Sequence, residues 1–327
     1  MSRILLTGAA GFIGFRTAQL LLEDGHTVLG LDSLNDAYDV RLKHWRLERL
    51  QPLPNFTFCQ LDVTDVAALE KLWQQHGGFD AVIHLAGRAG VRPSVDHPRL
   101  YYDTNTLGTL NLLELCRAHQ TEKFVLASTS SLYGELNPTP YSEDANTDRT
   151  ISPYAASKKA AEVLCYTYHQ LHKIDVTVHR YFTVYGPAGR PDMSVMRFIQ
   201  WISEGRTVKV YGNGQQSRDF TFVDDIARGT IAGMKYRGGY EVINLGNDRP
   251  ALLMDVLHLV EQGLGRTANI EYHDRHPADV SHTWADITKA RTLLGWQPQT
   301  DIQTGIARTI SWYREHEGFA RTIETGN

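Results

Sequence analysis

Three glycines near the start of this 327-residue chain constrain its fold more than any other feature. Arg3 to Thr7 is a short, largely apolar run, Gly8-Ala9-Ala10-Gly11-Phe12-Ile13-Gly14 follows, and a helical pattern continues through Leu20, Leu21 and Leu22. A glycine-rich turn alone is a weak signal, but between a strand and a helix it has the context of a dinucleotide site. There the chain turns tightly, its backbone comes close to a pyrophosphate, and the helix N-terminus faces the negative charge. The glycines fall as Gly-x-x-Gly-x-x-Gly, not as the commoner Gly-x-Gly-x-x-Gly.

The pattern after this turn keeps alternating. A strand predicted over Thr27 to Leu31 ends in Asp32, where an acidic side chain takes the adenosine ribose hydroxyls. A carboxylate there repels a 2′-phosphate and Ser33 stands in place of an arginine, which favours NAD over NADP; a turn-capping aspartate is the alternative. Further strands are predicted over Asn55 to Gln60, Asp80 to His84, Lys123 to Ala127 and Asp175 to His179. Asp62 and Val63 are placed for the adenine, Asp65 can cap a helix from Val66 to Gln75, and Leu85-Ala86-Gly87 lets a cofactor approach. Asn105 lies in a helical run from about Asp103 to Ala118. Such alternation predicts an α/β fold, a doubly wound parallel sheet with its site at the strand C-termini.

Beyond residue 182 the pattern is less regular. Helices are predicted over Ser194 to Ile202, Val223 to Lys235, Asp255 to Gln262, Asp286 to Leu294 and Ile302 to Arg314, with a strand from Val208 to Tyr211. The expected division is a Rossmann-like cofactor domain over 1–182, its sheet completed by parts of 223–250, and a smaller α+β substrate domain over 183–327.

Ser152-Pro153-Tyr154-Ala155-Ala156-Ser157-Lys158 opens a long helical run from Tyr154 to about His172. Residues four apart share a helix face, so Tyr154 and Lys158 point the same way. A phenol titrates near ~10, and a neighbouring ammonium lowers that value, which makes the pair a general acid/base for alcohol oxidation and ketone reduction. The same spacing also fits a helix start followed by a solvated charge.

Composition narrows the classes. Hydrophobic and charged fractions of 42% and 21% fit a soluble globular chain, and 33 basic against 37 acidic residues, with no basic run, argue against nucleic acid. Cys59, Cys116 and Cys165 are odd in number and widely spaced, which suits free thiols in a reducing, cytoplasmic setting. Neither a signal peptide nor a membrane-spanning run is read, and the scattered His273, His276 and His282 predict no metal site.

The joint pattern resembles the extended short-chain dehydrogenase/reductase family, in its nucleotide-sugar epimerase branch. The resemblance is carried by Thr7–Gly14, His84-Leu85-Ala86, Ser128–Gly134, Tyr154–Lys158, Arg218–Asp225, Arg275–Val280 and Trp284-Ala285-Asp286, and covers nearly the whole chain. Within the branch, Gly30–Asp39, Ala89-Gly90-Val91-Arg92 and Phe182–Met193 are most similar to the UDP-glucuronate 4-epimerases. The resemblance implies bound NAD, a UDP-sugar substrate, and catalytic roles for Thr129, Tyr154 and Lys158. It implies cofactor contacts from Gly8, Gly11, Phe12, Ile13, Gly14, Asp32, Asn35, Asp62, Val63, Leu85, Ala86, Gly87, Asn105, Ser128 and Tyr181 besides Tyr154 and Lys158. Substrate contacts are implied for Arg92, Thr129, Ser130, Thr183, Arg190, Val195, Tyr211, Arg218, Arg275 and Asp279, with Arg92 and Arg190 toward the sugar or its carboxylate. Arg88 departs from the family's usual neutral residue, and a cation there leaves the uronic acid and neutral UDP-glucose both in view.

Related dehydratases resemble Thr-Asp-Glu and decarboxylases Thr-Ser-Glu at the loop where this chain has Thr129-Ser130-Ser131. Neither serine hydroxyl does a carboxylate's work at neutral pH, so both reactions are disfavoured relative to 4-epimerisation. A non-enzymatic NAD-binding scaffold would be expected to lose Tyr154 or Lys158. The apolar helices around Leu107 to Leu115 and from Tyr154 resemble a pair that forms a homodimer through a four-helix bundle, with core packing as the alternative.

Overall fold

The computed structural model describes residues 1–276 and 278–326. The chain begins β1 (Arg3–Thr7), α1 (Phe12–Glu23), β2 (Thr27–Asp32), α2 (Arg41–Leu50), β3 (Phe56–Gln60), α3 (Val66–His76), β4 (Ala81–His84). Two short helices, α4 (Val91–Asp96) and α5 (Pro98–Tyr101), lead through a wide π-helical turn, Tyr102–Leu107, into α6 (Gly108–Ala118). Next come β5 (Lys123–Thr129), α7 (Pro153–His172), β6 (Asp175–Tyr181), β7 (Thr183–Tyr185), α8 (Ser194–Glu204), β8 (Thr207–Tyr211), β9 (Ser217–Arg218) and β10 (Phe220–Phe222). The rest is α9 (Val223–Lys235), β11 (Tyr240–Leu245), β12 (Ala251–Leu252), α10 (Leu253–Leu264), β13 (Asn269–His273), α11 (Thr288–Leu294), α12 (Ile302–Glu315) and α13 (Glu317–Ala320).

Seven parallel strands form the central sheet in the order β3-β2-β1-β4-β5-β6-β11. The chain winds outward from β1 in one direction and from β4 in the other, so a crevice opens beyond their C-terminal ends. Helices cover both faces, and the central strands are accordingly apolar throughout: Ile4, Leu5, Leu6, Val82, Ile83, Phe124, Val125 and Leu126 are completely buried. One apolar layer packs Leu5 and Phe124 against Leu112, Cys116, Ala161 and Cys165; the other carries Ile4 and Leu6 and continues through Met196, Phe198 and Ile199 toward α10 and α12. No described helix is long and apolar enough to cross a membrane.

Asp65 caps α3 as expected, accepting from Ala68 N at 3.0 Å, and Ser152 caps α7 through Ala155 N. Two expectations are corrected, and one helix had not been expected. The run from Asp103 to Ala118 is not one regular helix, because the backbone widens over Tyr102–Leu107 and turns Asn105 inward. Helix α2 went unpredicted, since its buried face carries Lys43 and Arg46 beside Leu42, Trp45 and Leu50. α11 starts at Thr288, with Asp286 outside it accepting from Thr288 N.

Candidate active site

The first turn of the sheet is built at backbone contact. Gly8 has φ +71°, and a Cβ there would lie 2.7 Å from Ala86 N; one on Gly14 would lie 2.0 Å from Gly8 O. Helix α1 starts after Gly11 with no side-chain cap, so its first N–H groups remain for an anion. Buried Asp32 accepts from Ala10 N (3.2 Å) and Leu34 N (2.9 Å), which fixes its carboxylate beside the turn. Thr7 Oγ1 accepts from Ala86 N and contacts buried His84, whose pKa burial pushes down to about 3, leaving it neutral. The near-contact glycines, the uncapped helix start and the carboxylate one strand away together fit an extended dinucleotide lying across the strand ends.

Lys43 sits 3.8 Å from Asp32 and donates to Asn35 Oδ1 at 3.0 Å. Burial lowers its pKa and Asp32 opposes that. Asn35 is thereby held in the β2–α2 loop, while Asp62 turns back onto Thr64 and Val63 packs on Gly108. At the end of β4, a Cβ on Gly87 would come within 2.9 Å of both Asn105 Oδ1 and Lys158 Nζ.

Three residues expected at the cofactor have their side-chain polar groups bonded within the protein. The Asn105 amide accepts from Arg88 N and donates to Arg88 O and Ser157 Oγ, so it shapes the loop after β4. Tyr181 Oη is buried against Thr230 Oγ1 at 2.7 Å. Ser128 Oγ donates to Glu162 Oε1 at 2.5 Å, and Glu162 also takes Arg180 Nε (3.0 Å) and Nη2 (2.8 Å). In each case the strand or helix faces the side chain into a neighbouring element rather than across the crevice. Glu162 and Arg180 are almost wholly buried, and the carboxylate holds the Arg180 guanidinium above its ordinary pKa. Ser128→Ala removes a charge-assisted bond and is expected to cost about 2 kcal/mol of stability, read as a lower urea midpoint with an unchanged slope.

Tyr154 lies half-buried at the first turn of α7, with the Tyr101 ring edge-on at 6.1 Å. Burial raises its pKa; the Thr129 hydroxyl and the Arg190 charge pull the other way. Lys158, one turn further along α7, is buried. Its Nζ donates to Ala127 O at 2.8 Å, and burial drops its pKa to about 8. Thr129 Oγ1 accepts from Ser131 N and donates to Ser131 Oγ, and the Thr129-Ser130-Ser131 stretch carries no carboxylate. Arg190 is paired with Asp192 through Nε (3.0 Å) and Nη2 (2.6 Å), and its pKa is raised by that carboxylate.

A second cluster stands in the C-terminal third. Arg92 donates to Asp279 Oδ2 at 2.5 Å and lies 4.1 Å over the Tyr211 ring, so the structure places it with Asp279 and Tyr211. Arg218 donates to the carbonyls of Ser217, Val280 and Ser281. Arg275 bonds Asp279 O, Ser281 Oγ and Glu135. Pro277 of this stretch lies outside the described residues. Thr183 starts β7, Val195 is the second residue of α8, and Ser130 follows β5 directly. Among the described residues no group of His, Cys, Asp and Glu gathers as a metal site. Sequence reasoning assigned nothing to Tyr38, Lys43, Arg46, Glu162, Arg180 or Asp192; buried charges on a helix otherwise read as solvated are the signal that was present.

The family described as GDP-mannose 4,6 dehydratase matches residues 5–309. A UDP-glucuronate 4-epimerase of Thermodesulfobacterium geofontis is 51% identical over 99% of this chain and 100% of its own. The crystal structure of UDP-glucuronic acid 4-epimerase from Bacillus cereus, in complex with UDP-glucuronic acid and NAD, superposes with a TM-score of 0.90 at 36% identity, covering 96% of this chain and 99% of that one. A UDP-glucose 4-epimerase of Thermotoga maritima with UDP-glucose gives 0.89 at 30% identity, over 96% and 99% of the two chains.

Proposed function

The chain belongs to the GDP-mannose 4,6-dehydratase family of extended short-chain dehydrogenases/reductases, and from that premise we propose that it is an NAD-dependent UDP-glucuronate 4-epimerase. One observation carries the choice of reaction and substrate: the Arg190 cation acts on the Tyr154 phenol in a cleft whose Thr129–Ser131 loop bears no carboxylate.

NAD, when bound, supplies a reversible hydride acceptor for C4 of the sugar. Gly8, Gly11, Phe12, Ile13 and Gly14 would take its pyrophosphate, Asp32 and Asn35 the adenosine ribose, Asp62 and Val63 the adenine, and Leu85–Gly87 with Lys158 the nicotinamide side. As phenolate, Tyr154 accepts the proton of the 4-hydroxyl, with Thr129 sharing the hydrogen bond. After the 4-keto sugar turns about its diphosphate link, hydride would return to the opposite face of C4 while the same phenol gives its proton back to the C4 oxygen. Arg190 is assigned to the sugar carboxylate, where its fork suits a planar anion. A 4-keto uronic acid is a β-keto acid, and an ion-paired carboxylate is less readily lost as carbon dioxide. Thr183, Val195, Tyr211, Arg218, Arg275 and Asp279 are assigned to the UDP portion, and Ser130 and Arg92 to positioning the sugar.

Incubating the protein separately with UDP-glucuronate and UDP-glucose and resolving the products tests this directly. UDP-galacturonate is expected from the first; conversion of the neutral sugar alone overturns the substrate. Arg190→Gln is expected to raise KM for UDP-glucuronate by about 30-fold.

Residues 1–182, with β11 returning to the sheet, are assigned to the cofactor half and 183–327 mainly to the substrate half. A homodimer through α6 and α7 is supported by exposed Leu107, Val163 and Tyr166 on that surface, the last two sharing a face of α7. A single-chain mass in solution at micromolar concentration would dismiss it. A cytoplasmic setting is supported by three free cysteines.

A further inference from the structure

We propose that Tyr38 and Arg46 are positioning residues that hold Arg190 ready for an anion and thereby set the preference for a carboxylate-bearing sugar over a neutral one. The inference rests on the assignment of Arg190 to the sugar carboxylate.

Arg46 is completely buried on α2. A guanidinium removed from water must place its five donors, and this one uses them to join two separate loops. Nη1 donates to Ala10 O (3.0 Å) in the glycine turn and to Tyr38 Oη (2.7 Å). Nε and Nη2 donate to Ala188 O at 3.2 and 2.8 Å, with Nη2 also 3.4 Å from Gly189 O. Ala188 has φ +51°, a left-handed conformation costly for a residue with a Cβ. Two bonds on its carbonyl help hold that conformation, two residues before Arg190. One buried side chain thus fixes the distance between the cofactor turn and the arginine loop.

Tyr38 does the second part. Its ring centroid lies 5.2 Å from Lys43 Nζ, 5.6 Å from the Arg46 guanidinium and 5.8 Å from that of Arg190. Three like charges repel one another, and an aromatic face among them offsets part of that repulsion. Asp192 takes only Nε and Nη2 of Arg190, so Nη1 has no hydrogen-bond partner among the described residues. Arg190 is therefore held from two sides while part of its fork stays unspent, in the wall of a cleft it shares with Phe12 and Thr183.

Binding of UDP-glucuronate and UDP-glucose to the NAD-loaded protein is measured by calorimetry for the parent, Tyr38→Leu, Tyr38→Phe, Arg190→Gln and the Tyr38→Leu/Arg190→Gln pair. Tyr38→Leu is expected to weaken UDP-glucuronate about tenfold and UDP-glucose less than about twofold, with no added loss on top of Arg190→Gln. Tyr38→Phe keeps the ring but loses the hydroxyl on Arg46, and about threefold is expected. No change in Tyr38→Phe removes Arg46 from the proposal. Equal weakening of both sugars, or a Tyr38→Leu effect that adds fully to Arg190→Gln, overturns it. If Arg190→Gln shifts the ratio and Tyr38→Leu does not, the proposal alone fails. If Arg190→Gln leaves the ratio unchanged, the carboxylate assignment fails and takes this proposal with it.

Discussion

Tyr154→Phe is expected to lower kcat for 4-epimerisation by about 10³-fold, with KM changed by less than about threefold. The substitution deletes one oxygen and leaves the ring, which packs edge-on to Tyr101. Binding of the nucleotide sugar should therefore survive while the proton has nowhere to go. Thr129 remains, but an aliphatic hydroxyl is far too weak an acid to exchange a proton at this rate near neutral pH. Product formation followed by chromatography, with circular dichroism to confirm folding, gives the answer. Turnover within tenfold of the parent in a folded variant would remove Tyr154 from the mechanism.

Lys158→Met should act in opposite senses on activity and stability. Activity is expected to fall about 100-fold or more, since the group assigned to the nicotinamide side is lost. Stability should rise. Burial drops the Lys158 pKa from 10.5 to about 8, so the charged form is disfavoured in the folded protein. The sign follows from proton counts. Below about pH 8 folded and unfolded chains both carry the proton, and the folded one bears a penalty of about 3 kcal/mol. Between pH 8 and 10.5 the unfolded chain holds more protons, so the parent gains stability as pH rises. Methionine removes the penalty but also the bond to Ala127 O, worth about 1 kcal/mol. In cofactor-free protein the variant should be about 2 kcal/mol more stable at pH 7, with the gap closing toward pH 10. Urea melts at both pH values decide it; a less stable variant at pH 7 rules out a strained lysine.

The sheet was legible because its signal is local. Apolar runs of four to seven residues, broken by Gly8–Gly14, Asp32 and Leu85–Gly87, need no partner to be recognised as strands beside a nucleotide-binding turn. β5 and β6 nonetheless run two residues past their predicted ends, bringing Thr129 and Tyr181 into the ladder. The short strands β7, β9, β10 and β12 were not legible. Each has two or three residues, and its identity depends on a partner 33 to 37 positions away, such as Phe220 on Thr183 or Ala251 on Arg218. Helix α2 was missed for a related reason, because its polar residues look solvated until Ala10, Tyr38 and Ala188 surround Arg46.

By itself the sequence determined the parallel α/β frame, the cofactor turn, and the tyrosine, threonine and lysine near the strand ends, all of which follow from short-range spacing. It also determined the absence of a carboxylate after Thr129, on which the choice of reaction rests. Only the tertiary structure decided where the charges act. It turned Lys158 to Ala127 O, paired Arg190 with Asp192, joined Arg92 to Asp279 and used Ser128 to satisfy a buried Glu162–Arg180 pair. Electrostatic energy depends on distance and burial between residues remote in sequence, and neither quantity is written in the order of the amino acids.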